Sequence, residues 1–123
     1  MEEEIQKAFT KRNLPREIKI SIKAGQEKKG EEIVVMDLRN NSSFTDIFLI
    51  MHGNSGRQNI ALYENIEQKL KKEKVRPMSI EGRKNSDWIL MDYGSFIVHI
   101  FSQKARQYYS LEKLWGDSPR IEY

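Results

Sequence analysis

The sequence predicts a single α/β (α+β) domain, built as one mixed sheet of five strands flanked by helices. The chain has 123 residues, which is the size of one ordinary domain. Apolar runs of strand length are separated by a segment whose apolar residues recur at helical spacing, an arrangement typical of a sheet covered by helices. No internal repeat interrupts this order, which reads helix, strand, strand, helix, three strands and a short helix.

The first residues are the least regular part of the sequence. Residues 1–14 are highly charged, and we interpret them as a helical lead-in to a domain that covers residues 15–119. Asn13 is the expected N-cap of the first helix, with Pro15 in its first turn. Residues 17–23 alternate between polar and apolar side chains, so periodicity alone slightly favours a strand there.

The next elements follow from clearer patterns. Residues 33–38 and 44–51 are two apolar runs, each predicting a strand. Leu62, Ile66 and Leu70 form an i, i+4 stripe, which predicts an amphipathic helix over residues 56–73. Ser55 and Gln58 have the spacing of a capping box at the start of this helix.

The second half of the chain predicts a β-hairpin and a closing helix. The Gly94-Ser95 turn joins two apolar runs, which is hairpin spacing. The predicted segments are a short strand at 78–82, a polar turn at 83–86, the hairpin strands at 87–93 and 96–101, a helical segment at 103–115 and a tail at 120–123.

Composition excludes several classes of function. The chain has no cysteine and only two histidines, which excludes thiolate chemistry and makes a zinc site improbable. Its 21 basic and 18 acidic residues leave a net charge of +3, a weak signal for a dedicated nucleic-acid binder. No apolar run reaches membrane-span length, and Glu2 to Glu4 are acidic where a signal peptide is basic. We therefore expect a soluble, cytoplasmic protein.

The most enzyme-like feature is the Gly53-Asn54-Ser55-Gly56 turn between a strand and a helix. Backbone N–H groups at such a turn can hold a phosphate, and a nucleotidyltransferase site would add carboxylates for metal ions. Asp37, Asp46 and Asp92 are the strand-borne aspartates available, but no Asp-x-Asp pair exists. A simple helix cap is the favoured interpretation; an enzyme centred on Ser55, Asp46 and Asp92 is the alternative.

The hairpin carries the most informative apolar residues. Alternation along its first strand places Trp88, Leu90 and Asp92 on one face and Ile89, Met91 and Tyr93 on the other. An exposed row of this kind marks an interface, although Trp88 serves equally well as a cap on the core edge. For His99 the favoured role is a hydrogen bond to Asp92 or Tyr93 across the hairpin rather than general-base catalysis.

A third possible function rests on charge. The lysine-rich stretch from Lys69 to Arg76 is able to contact RNA phosphates, and an RNA-binding domain of this kind would bind free RNA with strong salt dependence. A solvated helix end explains the same residues more simply, because base-stacking aromatic residues are missing there.

Several of these segments together resemble the ribosomal silencing factor family, also called the Iojap family. The resemblance covers roughly residues 15–119 and rests on motifs that occur in the family's order. They are Ile33-Val34-Val35-Met36-Asp37-Leu38, Ser43-Phe44-Thr45-Asp46-Ile47-Phe48, Gly53-x-Ser55-x-Arg57-Gln58, Ile80-Glu81-Gly82, Asp87-Trp88-Ile89-Leu90-Met91-Asp92-Tyr93-Gly94, Val98-His99-Ile100-Phe101 and Ala105-Arg106-x-Tyr108-Tyr109-x-Leu111-Glu112-x-Leu114-Trp115-Gly116-Asp117. The family usually has threonine in place of His52 and Asn54, and serine in place of Gly56.

The resemblance implies a nucleotidyltransferase-like fold without the metal-binding carboxylates, and a helix rather than a strand over residues 18–24, an assignment that we adopt. It also implies a protein that is not an enzyme and needs no cofactor. Such a protein binds the large ribosomal subunit through the fourteenth large-subunit protein, at the intersubunit face, and blocks joining of the small subunit. Translation then falls when nutrients are scarce, whereas organelle relatives act in large-subunit assembly.

We expect the hairpin to form the ribosome-binding site. Trp88 would be the apolar anchor, with Leu90, Met91 and Tyr93 around it, while Asp87 and Asp92 meet basic groups. Contact with ribosomal RNA is a further possibility, and the protein would act as a monomer or a homodimer.

Overall fold

The computed structural model describes residues 7–84 and 87–123. In this part of the chain, one mixed sheet has the strand order β3-β4-β5-β2-β1-β6. The elements are α1 (Arg16–Glu27), β1 (Glu31–Asp37), β2 (Ile47–Gly53), α2 (Gly56–Lys72), β3 (Ser79–Glu81), β4 (Trp88–Asp92), β5 (Phe96–Ser102), α3 (Gln103–Tyr109), α4 (Leu111–Leu114) and β6 (Arg120–Glu122). The predicted α+β class is confirmed.

The centre of the sheet is the parallel pair β2 and β5, and the other neighbouring strands run antiparallel. Every residue of β2 is buried, as expected for a central strand that is covered on both faces. The predicted hairpin is present: Trp88 lies opposite Phe101 and Asp92 lies opposite Ile97. Of the polar turn predicted at 83–86, residues 85 and 86 lie outside the described residues.

The described sheet has six strands rather than the predicted five. Residues 120–122 belong to the predicted tail, but they form β6 and pair with β1, which places Ile121 opposite Val35. Three residues are too few to show a clear alternation, so this strand depends on the neighbouring β1 rather than on its own pattern.

The N-terminal segment differs from the predicted helical lead-in. Residues 7–15 form loop and turn without helix, and α1 begins only at Arg16, after Pro15. Asn13 does not cap α1; its Oδ1 accepts a hydrogen bond of 2.6 Å from the Thr10 backbone N–H. Residues 1–6 of the predicted lead-in lie outside the described residues.

Helix α1 includes the segment whose alternation favours a strand, so the helix implied by the family resemblance is confirmed. Ile18 and Ile22 are buried on one stripe of this helix, because residues four apart lie on the same helical face. They pack into the core on the same side of the sheet as α2. Burial of this stripe overrides the weaker local preference for a strand.

Helix α2 begins with half of the predicted capping box. The Ser55 hydroxyl accepts a hydrogen bond of 3.1 Å from the Gln58 backbone N–H. The Gln58 side chain accepts from the Asn54 N–H at 2.7 Å rather than from Ser55. Its amide also donates to the carbonyl oxygens of Lys28 and Lys29, which ties the start of α2 to the end of α1.

The two faces of the sheet are covered unequally. Helices α1 and α2 cover one face, where Ile89, Met91 and Ile100 are fully buried. The other face has a smaller core under the short helices α3 and α4, with Trp88 and Leu90 only partly buried at its border. The predicted helical segment 103–115 is divided into these two helices at Ser110, which has a left-handed backbone with φ 47°.

Candidate functional site

The less covered face of the sheet presents a group of exposed or half-buried apolar side chains, which we call the open face. Its members are Phe44, Trp88, Leu90, Tyr108, Tyr109, Leu114 and Trp115. Leu114 is 73% exposed and Phe44 is 59% exposed. Large apolar side chains that are exposed on one face of a protein are typical of a binding surface.

The aromatic members of the open face are connected through ring contacts that cross the sheet. Tyr108 contacts Tyr109 with ring centroids 5.1 Å apart, and Tyr109 contacts Trp88 at 4.5 Å. Trp88 lies 5.9 Å from His99, whose ring meets Phe48 edge to face at 4.4 Å. Trp115 and Phe44 complete the row, each about 6 Å from Phe48.

Trp88 is held in place by a buried histidine. Its indole Nε1 donates a hydrogen bond of 3.0 Å to Nδ1 of His99. Burial lowers the pKa of His99 to about 3, so the ring stays neutral and Nδ1 remains an acceptor. The partner of His99 is therefore Trp88, not the predicted Asp92 or Tyr93. Because the indole N–H is satisfied internally, Trp88 offers only apolar ring surface to a partner.

The predicted site residues divide between the two faces of the sheet. Leu90 and Asp92 lie on the same face of β4 as Trp88, and Asp87 is exposed just before the strand. Met91 is fully buried in the core beneath the long helices. Met91 therefore lies away from the open face, and in this structure its side chain has no exposed area that a partner could contact.

Tyr93 also belongs to the face covered by α1 and α2. Its ring stacks on Phe96 with centroids 4.7 Å apart, and it packs against the same core as Met91. Burial, with a smaller contribution from the nearby Glu67 carboxylate, raises the pKa of its hydroxyl. The structure therefore places Tyr93 away from the open face.

Several members of the open face were not among the predicted site residues. Phe44 precedes β2 instead of lying within it. Leu114 and Trp115 lie at the end of the predicted helical segment and are largely and partly exposed, respectively. Alternation of polar and apolar residues along a strand predicts which side chains share a face of the sheet, but it does not predict which face the helices leave uncovered. An unusual density of aromatic residues at 108–115 was the one available signal.

The residues of the enzyme alternative do not form one site. Ser55 follows the carboxyl end of β2, whereas Asp46 precedes its start, which separates them by about 20 Å of strand. Asp92 lies near the Asp46 end and accepts a hydrogen bond from the Gly94 N–H. No group of three or more metal-binding side chains occurs in the described residues.

The third strand-borne aspartate is engaged in an ion pair. Asp37 is 5% exposed and lies 2.9 Å from the Arg39 guanidinium. Although burial opposes ionisation, the hydrogen bonds from Arg39 hold the pKa of this carboxyl below its usual value. Asp37 therefore stabilises the end of β1 and is not placed to bind a metal ion.

The structure thus defines an α+β domain with one sparsely covered aromatic sheet face, a feature typical of proteins that bind a macromolecular partner. Comparison with known proteins makes this more specific. The family described as "Ribosomal silencing factor during starvation" matches residues 11–123. The chain belongs to this family, and the predicted resemblance is confirmed.

Individual relatives agree with this assignment. The ribosomal silencing factor of Bacillus subtilis is 38% identical over 102 residues, which cover 83% of this chain and 86% of that protein. A mouse protein named mitochondrial assembly of ribosomal large subunit protein 1 is 31% identical over 93 residues, 73% of this chain and 41% of the mouse protein. A crystal structure from Chromobacterium violaceum matches with a TM-score of 0.79 at 33% identity, covering 81% of this chain and 83% of that one.

The family name connects the chain to ribosome silencing and thus to regulation of translation. None of the described helices has the length and apolar character needed to cross a membrane.

Proposed function

We propose that this protein binds the large ribosomal subunit at its intersubunit face and blocks joining of the small subunit, which represses translation when nutrients are scarce. The fourteenth large-subunit protein is the proposed direct partner, with ribosomal RNA beside it. The observation that carries the proposal is the open face, a connected apolar surface on a member of the silencing factor family.

A complex of ordinary size would need only a small part of the surface of this chain. A standard interface buries about 800 Å² on each partner, about a tenth of the 7885 Å² surface of this chain. Trp88 is the proposed anchor, because a fixed, partly buried tryptophan loses little conformational entropy on binding. The exposed Asp87 beside it would meet basic groups, which are abundant on ribosomal surfaces.

The proposed mechanism is steric. A body of 14.5 kDa that occupies a contact point between the subunits excludes the other subunit without a chemical step or a cofactor. The action would take place in the cytoplasm. The same apolar face is also able to bind a second copy of the chain, so the free protein would be a monomer or a homodimer.

A second candidate function is large-subunit assembly. The observation that favours it is the name of the mouse relative, which refers to assembly of the mitochondrial large subunit. Both functions share a large-subunit partner, so they differ only in the stage at which the protein binds.

The first test is co-sedimentation of the purified protein with separated ribosomal subunits, followed by a subunit-joining assay. We expect binding to the large subunit alone and fewer joined ribosomes as the protein concentration rises. Absence of binding to large subunits would contradict both candidate functions. Binding without any effect on joining would contradict silencing and favour assembly.

The second test locates the binding site. Trp88→Ala should weaken large-subunit binding at least tenfold, because buried aromatic anchors contribute about 2 kcal/mol or more. Leu114→Asp should do the same while leaving the fold intact, since Leu114 is 73% exposed. Binding is measured by co-sedimentation, and folding by circular dichroism.

Met78→Ala is the matched control for both variants. Met78 is 76% exposed, and its N–H pairs with the Asp92 carbonyl, at the end of β4 far from Trp88. Removing this side chain should leave binding within about twofold, since exposed groups outside an interface contribute little. Unchanged binding by folded Trp88→Ala and Leu114→Asp variants would show that the open face is not the ribosome-binding site.

A further inference from the structure

A buried polar network lies at one end of the open face, beneath α3. Arg106 is 6% exposed and His52 is 3% exposed. The Arg106 Nε and Nη2 donate to the two carboxylate oxygens of Glu112 at 3.2 and 3.3 Å. Its Nη1 lies 3.0 Å from His52 Nδ1 and 3.3 Å from the Glu31 carbonyl oxygen. Arg106 thus links α3 to α4, to β1 and to the end of β2.

Helix α4 depends on contacts of this kind for its stability. It has four residues, and a single turn is not stable by itself. It follows Ser110, whose left-handed backbone (φ 47°) is unfavourable for any residue with a Cβ and persists only where surrounding contacts hold it. Besides the burial of Leu111, the bidentate Arg106–Glu112 pair supplies these contacts, and bidentate pairs are both strong and directional.

Helix α4 in turn sets one edge of the open face. Leu114 is its last residue, and Trp115 follows directly and packs against Phe48 and Phe44. A shift of α4 would therefore move these two apolar side chains relative to Trp88. The position of the Arg106–Glu112 pair therefore affects the proposed ribosome-binding surface, because Glu112 belongs to the four-residue helix α4 that ends at Leu114.

The hydrogen-bond geometry of this network favours one tautomer of the His52 ring. A guanidinium group only donates hydrogen bonds, so Nδ1 of His52 must be the acceptor. The ring proton is then on Nε2, which lies 3.3 Å from the Glu31 carboxylate. A second proton on Nδ1 would remove the acceptor and place positive charge against the Arg106 guanidinium.

We propose that His52 and Arg106 form a positioning network that fixes α4, and with it the Leu114–Trp115 edge of the open face, and that protonation of His52 loosens this edge. The part that concerns ribosome binding rests on the proposed function.

Other charged groups near His52 line an open cavity of about 520 Å³. The charged groups that face this region from β1, α3, α4 and β6 are Glu31, Glu32, Arg106, Glu112, Lys113 and Arg120. Because several of these groups are ionisable, a test of the proposal must replace the histidine alone.

His52→Gln is the variant that removes only the histidine. A glutamine can accept from Arg106 through its Oε1 and donate to Glu31 through its Nε2, but it does not titrate. The chain has two tryptophans, so a Trp88→Phe background leaves Trp115 as the only fluorescent indole at the edge of the open face. Emission is compared at about pH 7.5 and about pH 5.5, a range in which histidine side chains change charge.

We expect Trp115 emission to shift to longer wavelength in acid, and Arg106→Gln to show that shift at both pH values. His52→Gln should remain unshifted at both. Hydrogen exchange at the amides of residues 111–115, corrected for the intrinsic pH dependence, gives the same comparison with both tryptophans in place. Emission and protection that do not change with pH, or a pH response that persists in His52→Gln, would overturn the proposal.

Ribosome binding completes the test. Arg106→Gln should bind large subunits about tenfold more weakly, the scale of a lost charged hydrogen bond, while His52→Gln should bind normally and without pH dependence. If the unaltered chain does not bind large subunits, the proposed function fails, and the fluorescence result still decides whether the network positions α4. If the chain binds and Arg106→Gln binds equally well, the positioning role in ribosome binding is overturned.

Discussion

His99 shows how one buried residue can fix the orientation of a neighbouring side chain on the open face. Its ring is 3% exposed and lies between Trp88 and Phe48. Since Nδ1 accepts from Trp88, the proton is on Nε2, which is buried without a hydrogen-bond partner in the described part of the chain. Burying this N–H group without a partner lowers the stability of the folded protein, but the hydrogen bond at Nδ1 defines the orientation of Trp88 on the open face.

This environment predicts how stability depends on pH. Burial lowers the pKa of His99 from 6.5 to about 3, so between these values the unfolded chain binds a proton that the folded protein does not. The contribution of His99 to stability should therefore be complete above about pH 6.5 and should fall as the pH decreases, by at most about 1.4 kcal/mol per pH unit. Urea unfolding at a series of pH values measures the slope.

His99→Gln is the control for that slope. Glutamine keeps an acceptor for the Trp88 N–H but does not titrate, so the variant should lose stability less steeply in acid. Equal slopes for the two proteins would show that other groups cause the acid sensitivity.

At the scale of elements, Gly82, which directly follows β3, allows a close approach to the backbone of Trp88. Gly82 has φ 84°, and a Cβ at this position would lie 1.9 Å from the Trp88 carbonyl oxygen. A side chain here would be strained by its left-handed backbone and would also push the first residue of β4 away. The open face therefore depends on a glycine outside any strand.

Gly82→Ala should lower the free energy of unfolding by more than Gly94→Ala. Gly94 has the same left-handed backbone (φ 85°), but its added Cβ would meet only the flexible Met78 sulfur, at 3.2 Å. The left-handed conformation costs about 1 to 2 kcal/mol in each variant, so the excess measures the backbone clash. Denaturant unfolding of both variants gives the comparison, and equal losses would contradict it.

At the scale of the whole molecule, the sheet is completed at one edge by the last residues of the chain. β6 pairs with β1, the Tyr123 N–H donates to the Ile33 carbonyl, and Ile121 packs against the core on the α1 and α2 side. Without these residues, β1 would become an exposed edge strand with unpaired backbone groups.

Deletion of residues 120–123 should therefore lower the free energy of unfolding by about 2 kcal/mol or more, the value of one buried aliphatic side chain. Chemical denaturation measures the loss. Deletion of Tyr123 alone is the control, because it leaves the three β6–β1 residue pairs in place. If both deletions have the same small effect, β6 contributes little to the fold.

Several features of the fold could be predicted because they depend on neighbouring residues. The stripe of Leu62, Ile66 and Leu70 predicts α2, and the Gly94-Ser95 turn predicts the hairpin. Residues 18–24 show the limit. A short alternating pattern is compatible with a strand or a helix, and the family resemblance decided in favour of the helix that the structure contains.

The candidate site could be predicted only in part. Trp88 and Leu90 were identified from a motif, and the structure places them on the open face. Met91 and Tyr93 come from the same motif but lie on the opposite face, because successive residues of a strand point in opposite directions. Phe44 and Leu114 come from distant parts of the chain and join the site only after folding.

By itself, the sequence determined the types of the main elements and the family to which the protein belongs, because periodicity, capping and turn chemistry are local properties. Only the tertiary structure decided which face of the sheet remains open, which residues share it and how Arg106 connects α4 to His52. These features depend on where two long helices and two short ones pack on the sheet, and that packing brings together residues far apart in the chain.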